Sequence, residues 1–346
     1  MAAVSRTLLP VLLLHNLDPD WPPCDIDEVL RQAAEAEAAL RAQGHPFTGV
    51  PVRHADLAAH LHGYEANEHI VLNWCEELPG MPHSDALVAK TLQSLGFCYT
   101  GAAHQALALS WDKRQVKRLL DRSGLPTPRW RVYSAPEAGG WDCFPAIVKP
   151  AREHCSYGVT SEAVVLTPAE LCARIAYVLE TFQQPALVED FVDGRELHVS
   201  LWGNGVVQML PPAEMDFAAF ADVRDRLCTY DSKFSPGSPQ YDGIELRLPA
   251  ALSEDELARL ERIALATYCT LGCRDYARLD IRLRDGTFYV LDVNPNPDIS
   301  SDTSTALAAE AAGYSYGAML SRLVGLAAQR HPTLAPQASG AQETHG

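Results

Sequence analysis

The segment YARLDIRLRDGTFYVLDVNPNPDIS, residues 276–300, concentrates side chains able to do chemistry. Two strand-like runs flank an Asp-Gly turn. The first carries Arg278 and Asp280; the second carries Asp292 and Asn294 before Pro295 and Pro297 break it. Side chains alternate along a strand, so each pair shares one face. A two-residue turn would set Asp280 opposite Leu291 and throw Asp292 to the other side. A three-residue loop over Asp285, Gly286 and Thr287, with Gly286 left-handed, pairs Asp280 with Asp292. The three-residue loop is expected, because only then do two carboxylates and an amide oxygen converge. That donor set, without thiolate or imidazole, suits Mg2+, with Mn2+ as a substitute. Arg278 beside it would stabilise a developing anion. The alternative is a hairpin whose polar face is merely solvated.

Lysine is scarce: of 28 basic residues only Lys90, Lys113, Lys117, Lys149 and Lys233 are lysines. Lys113 opens a helix, where the dipole disfavours a cation. Lys149 ends the apolar strand PAIVK before a polar, glycine-bearing loop, and Lys233 sits in a segment rich in Pro, Gly and Asp. Long irregular segments inside a domain are usually functional. Isolated cations and an acidic metal cluster suit a triphosphate when no Walker loop exists, and neither GxxxxGK[ST] nor GxGxxG occurs.

These residues must be held by a chain of 346 residues, enough for two or three packed domains. The formal charge of −16 argues against nucleic acid and anionic membranes as partners. The nine cysteines show no disulfide framework, and Cys269 with Cys273 lacks the further ligands of a zinc site. They read as thiols of a reducing cytoplasm. The run LLPVLLL near the start is too short to span a membrane and lacks a cleavage site, so it reads as a buried first strand. Strands then alternate with helices over 1–103, an α/β unit with a parallel sheet. A second unit, 104–190, takes in the helix from Lys113, the strand ending at Lys149 and a helix capped by Thr167 with Pro168 first. The third, 191–330, opens with one strand over RELHVSLWGNGVVQMLPPAE and ends in helices; 331–346 is expected to be a disordered tail.

Taken in order, these motifs resemble the ATP-grasp ligases, and among them the D-alanine–D-alanine ligases, over roughly residues 69–327. GFCYTGAAHQALALSWDKRQVKRLL is similar to the family's entry into its central domain, and FPAIVKPAREHCSYGV to the strand and mobile loop that close over phosphates. The resemblance implies an α/β ATP-grasp fold of three domains, with ATP between the central and C-terminal ones. It implies phosphate contacts from Lys113, Lys149 and Lys233, and a closing loop around Glu153 to Gly158 that includes Ser156. Glu189 and the backbone at Phe191 and Val192 would read adenine, and Glu196 would hold the ribose. Asp280, Asp292 and Asn294 match the magnesium ligands, and Arg278 the arginine that supports the tetrahedral intermediate, with Lys233 and Ser156 assisting. The activity implied is amide formation between amino-acid-like substrates through an acyl phosphate, in a cytoplasmic enzyme expected to be a homodimer.

Two departures bear on the substrate. The glycine-rich, glutamate-bearing segment that the family has after its first strand reads HNLDPDWPPCDIDEV here, and the family's Pro-Gly after the metal-binding asparagine is Pro297-Asp298. Asp298 would either bind an amine or guanidinium or narrow the pocket. Ser301 and Thr303 remain candidates for a substrate carboxylate. A ligase of a pair other than D-alanine with D-alanine is therefore expected. A true D-alanine–D-alanine ligase and a non-catalytic ATP-binding sensor or scaffold are the alternatives.

Overall fold

A computed structural model describes residues 9–335 except Cys155 and Pro236, and it describes Lys233 and Phe234 by their backbone only. The apolar start forms β1 (Val11–Asn16), followed by α1 (Pro23–Ala42), β2 (Phe47–Val52), α2 (Leu57–Leu61), β3 (Ile70–Trp74), α3 (Asp85–Ser94) and β4 (Cys98–Tyr99). The strands form a parallel sheet in the order β2-β1-β3-β4. Its β1 reads as a continuous apolar run because helices cover both faces.

Next come α4 (His104–Ser110), α5 (Lys113–Arg122), β5 (Trp130–Tyr133), β6 (Ala146–Pro150), β7 (Val164–Val165), α6 (Pro168–Phe182) and β8 (Ala186–Asp190). Here the sheet is antiparallel, β5-β8-β6-β7. Thr167 caps α6 by accepting from the Glu170 amide, and Leu171, Ile175 and Val178 bury its apolar stripe on the sheet.

The remaining elements are β9 (Arg195–Asn204), β10 (Val206–Met209), β11 (Ala213–Asp216), α7 (Asp231–Phe234), α8 (Pro239–Gly243), β12 (Glu245–Arg247), α9 (Glu254–Thr270), β13 (Asp275–Arg284), β14 (Thr287–Asn294), α10 (Ser304–Ala311) and α11 (Tyr316–Ala328). The sheet runs β12-β11-β9-β13-β14, with β10 folded back on β9. The stretch expected as one strand is thus three, because the chain reverses at Asn204-Gly205, where Gly205 takes φ 73°. The segment 222–243, expected to be irregular, holds the short helices α7 and α8.

Cores do not follow chain order. Val11, Leu13 and Leu72 of the first sheet share one apolar cluster with Met319, Leu320 and Leu323 of α11. Val116 and Leu120 of α5 pack with Leu279 and Val290 of the third sheet. The first sheet is also clamped by hydrogen bonds. Gly101 donates to Asp275 Oδ2 (2.9 Å) and Ala102 to Asn296 Oδ1 (2.7 Å), next to the end of β14. Gly101 has φ 90°, and a Cβ there would collide with the Asn296 amide, so only glycine permits this approach. Of the expected tail, residues 331–335 are described: His331 is buried, with Nε2 2.9 Å from the Ala66 carbonyl oxygen. The rest of that expectation lies outside the described residues.

Candidate functional site

The β13–β14 hairpin turns through Asp285 and Gly286 alone, both at positive φ (50° and 73°), and Arg284 faces Thr287. Continued unbroken, that register would place Asp280 opposite Leu291. A bulge corrects it: Ile281 pairs with Val290, Asp280 with Asp292 and Arg278 with Asn294. The carboxylates meet, but the extra residue sits in β14 and not in the turn. The three-residue loop expected from the sequence is therefore corrected to a two-residue turn with a strand bulge.

Around this pair the side chains are already engaged. Arg278 donates from Nε to Asp280 Oδ1 (2.8 Å) and Asn294 Nδ2 donates to Asp280 Oδ2 (3.3 Å). Lys113 Nζ lies 3.1 Å from Asp292 Oδ2 and donates to the Glu153 carbonyl (2.5 Å). Burial is the largest influence and would raise the Asp292 pKa, but Lys113, His154 and Lys149 together outweigh it and hold the carboxyl below its ordinary value. Lys113 is the first residue of α5, where Asp112 offsets the dipole by accepting from the Arg114 and Gln115 amides. Two carboxylates and an amide oxygen on adjoining strand positions fit a hard divalent cation, which would take over the neutralising role these cations hold here.

Across a cleft of about 790 Å³ stand Lys149, Glu153, Ser156, Glu189, Phe191, Val192, Glu196, Asp280 and Asp292. Lys149 Nζ reaches Glu189 Oε2 (2.8 Å), and Lys117 Nζ approaches the other oxygen of Glu189 (2.6 Å). Burial would raise the Glu189 pKa, yet the two ammonium groups hold it down to about 2. Lys117 also donates to Thr127 Oγ1 (2.7 Å) and the Leu291 carbonyl (3.0 Å). It thereby ties the bulge residue to the helix that bears Lys113. Lys113 and Lys117 are four residues apart on one helix face, and that spacing could have flagged Lys117.

Arg282 was also missed. It continues the alternation Arg278, Asp280, Arg282, and it faces Glu196 across β9 as Asp280 faces His198. Its Nε donates to Glu196 Oε2 (2.8 Å) and Nη1 to the Val192 carbonyl (2.8 Å), with the guanidinium 4.6 Å from the Phe191 ring centre. Burial works most strongly against ionised Glu196, but Arg282 and His198 together prevail and keep its carboxyl far below the usual range.

The glycine-bearing loop closes one side. Ser156 Oγ donates to the Cys228 carbonyl (2.9 Å), linking this loop to the segment before α7. Gly158 takes φ 76° against the Phe182 ring, where no side chain would fit. His154 stands edge-on to Trp111 (4.3 Å), which stacks on His83 (4.1 Å). Burial and then Lys113 push the His154 pKa down to about 4, so this imidazole is neutral beside the lysine. The Lys233 side chain lies outside the described residues.

Asp298, Ser301 and Thr303 follow β14. Asp298 Oδ1 accepts from the Ser300 amide (2.9 Å) and hydroxyl (2.6 Å), which fixes its carboxylate in the loop. Thr303 caps α10, donating to the Ser300 carbonyl (2.9 Å) and accepting from the Ala306 amide (3.4 Å), so its hydroxyl is spent on structure. Ser301 is half-buried in the intervening turn. Facing this loop is Glu76, beyond β3. Partial desolvation and then the charges of Asp298, Glu77 and Asp85 push its carboxyl up to about 7.

Comparisons with known proteins fit this geometry. A family model described as the D-ala D-ala ligase C-terminus matches residues 128–325. An uncharacterised protein of Sinorhizobium fredii is 34% identical over 265 residues, 76% of this chain and 75% of its own. A D-alanine–D-alanine ligase of Albidiferax ferrireducens is 32% identical, covering 76% of this chain and 72% of its own. The crystal structure of the Bacillus anthracis D-alanine–D-alanine ligase complexed with ATP superimposes with a TM-score of 0.71 at 21% identity, over 93% of this chain and 98% of that one. The fold is α/β of the ATP-grasp type.

Proposed function

The chain belongs to the D-alanine–D-alanine ligase family of ATP-grasp enzymes, ADP-forming ligases of carbon–nitrogen bonds, and from that premise we propose that it joins an amino-acid carboxylate to an amine other than D-alanine. The observation that carries the ligase half is the in-register meeting of Asp280 and Asp292, with Lys113 on one side and Lys149 across the cleft.

ATP lies in the cleft between the β6–β8 sheet and the β9–β13–β14 sheet. Glu189 and the backbone at Phe191 and Val192 receive its adenine, and Glu196, held rigid by Arg282, its ribose. Lys113 and Lys149 exchange their carboxylate partners for phosphate oxygens. Asp280, Asp292 and Asn294 would hold Mg2+, which would supply charge neutralisation at the transferred phosphate. The substrate carboxylate attacks the γ-phosphorus, an acyl phosphate forms and ADP departs. The amine then attacks the acyl carbon, inorganic phosphate leaves and the amine loses a proton. Arg278 faces the developing oxyanion. Water is kept from the acyl phosphate by the 153–158 loop, latched by Ser156 to the 228–243 segment.

The acceptor preference rests on Asp298. Its fixed carboxylate stands where family members leave space, and Glu76 adds a second carboxylate facing it. Together they favour a substrate bearing an additional cationic group. ADP release with Mg-ATP, measured against single and paired L- and D-amino acids, tests this. Turnover on a pair containing a basic amino acid is expected, with Asp298→Gly shifting preference toward D-alanine. Ready use of D-alanine by the unaltered protein would overturn the substrate assignment.

A further inference from the structure

Glu196, His198 and Cys228 bring a carboxylate, an imidazole and a thiol together, with one ligand atom of each within 4.8 Å of the others. Glu196 and His198 are two apart on β9 and so share a face. Cys228 arrives from the segment before α7. Both β9 residues are buried and Cys228 is half-buried.

We propose that these three residues form a site for a borderline-soft divalent cation, Zn2+ being the type, adjoining the hard-oxygen site of Asp280, Asp292 and Asn294, since His198 Nε2 also lies 3.9 Å from Asp280 Oδ1. The donor chemistry separates the two classes: thiolate and imidazole select zinc-like ions, whereas carboxylate and amide oxygens select magnesium. The two β9 ligands also have partners that aim them. Glu196 Oε2 is held by Arg282 (2.8 Å), while Oε1 looks toward His198 Nε2 at 3.9 Å. His198 Nδ1 lies 3.2 Å from Ser304 Oγ, leaving Nε2 for the ion. Tetrahedral coordination sets ligand atoms roughly 3.3–3.8 Å apart, so closing the site needs a movement of about 1 Å. Only Cys228 lies on a connecting segment able to make it. Three protein ligands leave a fourth tetrahedral position for water or another ligand, and two of the three, Glu196 and Cys228, line the cleft.

Such an ion would pin the 226–230 segment to β9. Where Glu196 also holds a nucleotide ribose, as the proposed function has it, ion and nucleoside exclude one another. The ion's own binding does not depend on that reading.

Co2+ added to the full-length protein tests the site, because thiolate coordination gives an intense sulfur-to-cobalt charge-transfer band. One equivalent is expected to produce that band, Zn2+ to abolish it, Cys228→Ser to remove it, and Ser304→Ala to weaken the affinity about tenfold. On the unaltered protein, Zn2+ should slow alkylation of Cys228 relative to the other cysteines, read by peptide mass spectrometry. A weak octahedral spectrum alone, a band that survives Cys228→Ser, or unaltered alkylation would overturn the proposal. Adenosine, which has no chelating phosphates, separates the two readings. A cobalt band insensitive to bound adenosine keeps the metal site and counts against Glu196 as the ribose contact. Adenosine binding without any cobalt band does the reverse.

Discussion

The two ends of the cleft treat charge in opposite ways. At the end proposed to hold the nucleotide, four carboxylates have a cation at contact distance: Glu189 has Lys149 and Lys117, Glu196 has Arg282, Asp280 has Arg278 and Asp292 has Lys113. At the other end Glu76, Glu77 and Asp298 make no ion pair among the described residues, and their mutual repulsion contributes to the raised Glu76 pKa. Paired charges fix geometry before any ligand arrives, and they release cations to a more strongly charged ligand such as a triphosphate. Unpaired charges leave a deficit that only the substrate can meet.

The sharpest way to break this comparison is at the metal carboxylates. Asp280→Asn and Asp292→Asn should each lower turnover about 1,000-fold, the equivalent of several kcal/mol of transition-state stabilisation, with the fold retained. Single-turnover ADP formation reads this, and near-normal rates would remove the hairpin from the chemistry. Next in size is Lys117→Met, which leaves buried Glu189 with one counter-charge and strips donors from the bulge at Leu291. Stability should fall by about 3 kcal/mol, seen as a lower urea midpoint. An unchanged midpoint would mean that the internal pairs do not preorganise the nucleotide end.

The smallest effect is at the acceptor end. The Glu76 pKa lies above that of an unfolded carboxyl, so the folded protein loses stability as pH rises from the ordinary carboxylate range through about 7. A cationic substrate relieves that cost. Its KM should therefore fall roughly 2- to 5-fold between about pH 6 and pH 8, the worth of an exposed ion pair. Glu76→Gln should flatten the profile. A profile unchanged in that variant would assign the pH effect elsewhere.

The amino-acid sequence by itself carried the fold class, because alternating strand and helix patterns, caps such as Thr167-Pro168 and an apolar first strand are local signals. It also pointed to Asp280 and Asp292 through strand alternation and to Lys113 and Lys149 through the scarcity of lysine, and all four line the cleft. Tertiary structure alone decided the register that joins the two aspartates. A one-residue bulge costs little locally and has no compositional mark, and it lies where Lys117 donates to the carbonyls of Val290 and Leu291. Long-range pairing likewise decided the partners of Lys117 and Arg282, since 173 residues separate Lys117 from Val290 and 86 separate Arg282 from Glu196. Charge neutralisation in a buried cleft depends on distance in space, and chain spacing conveys that only within a single helix or strand.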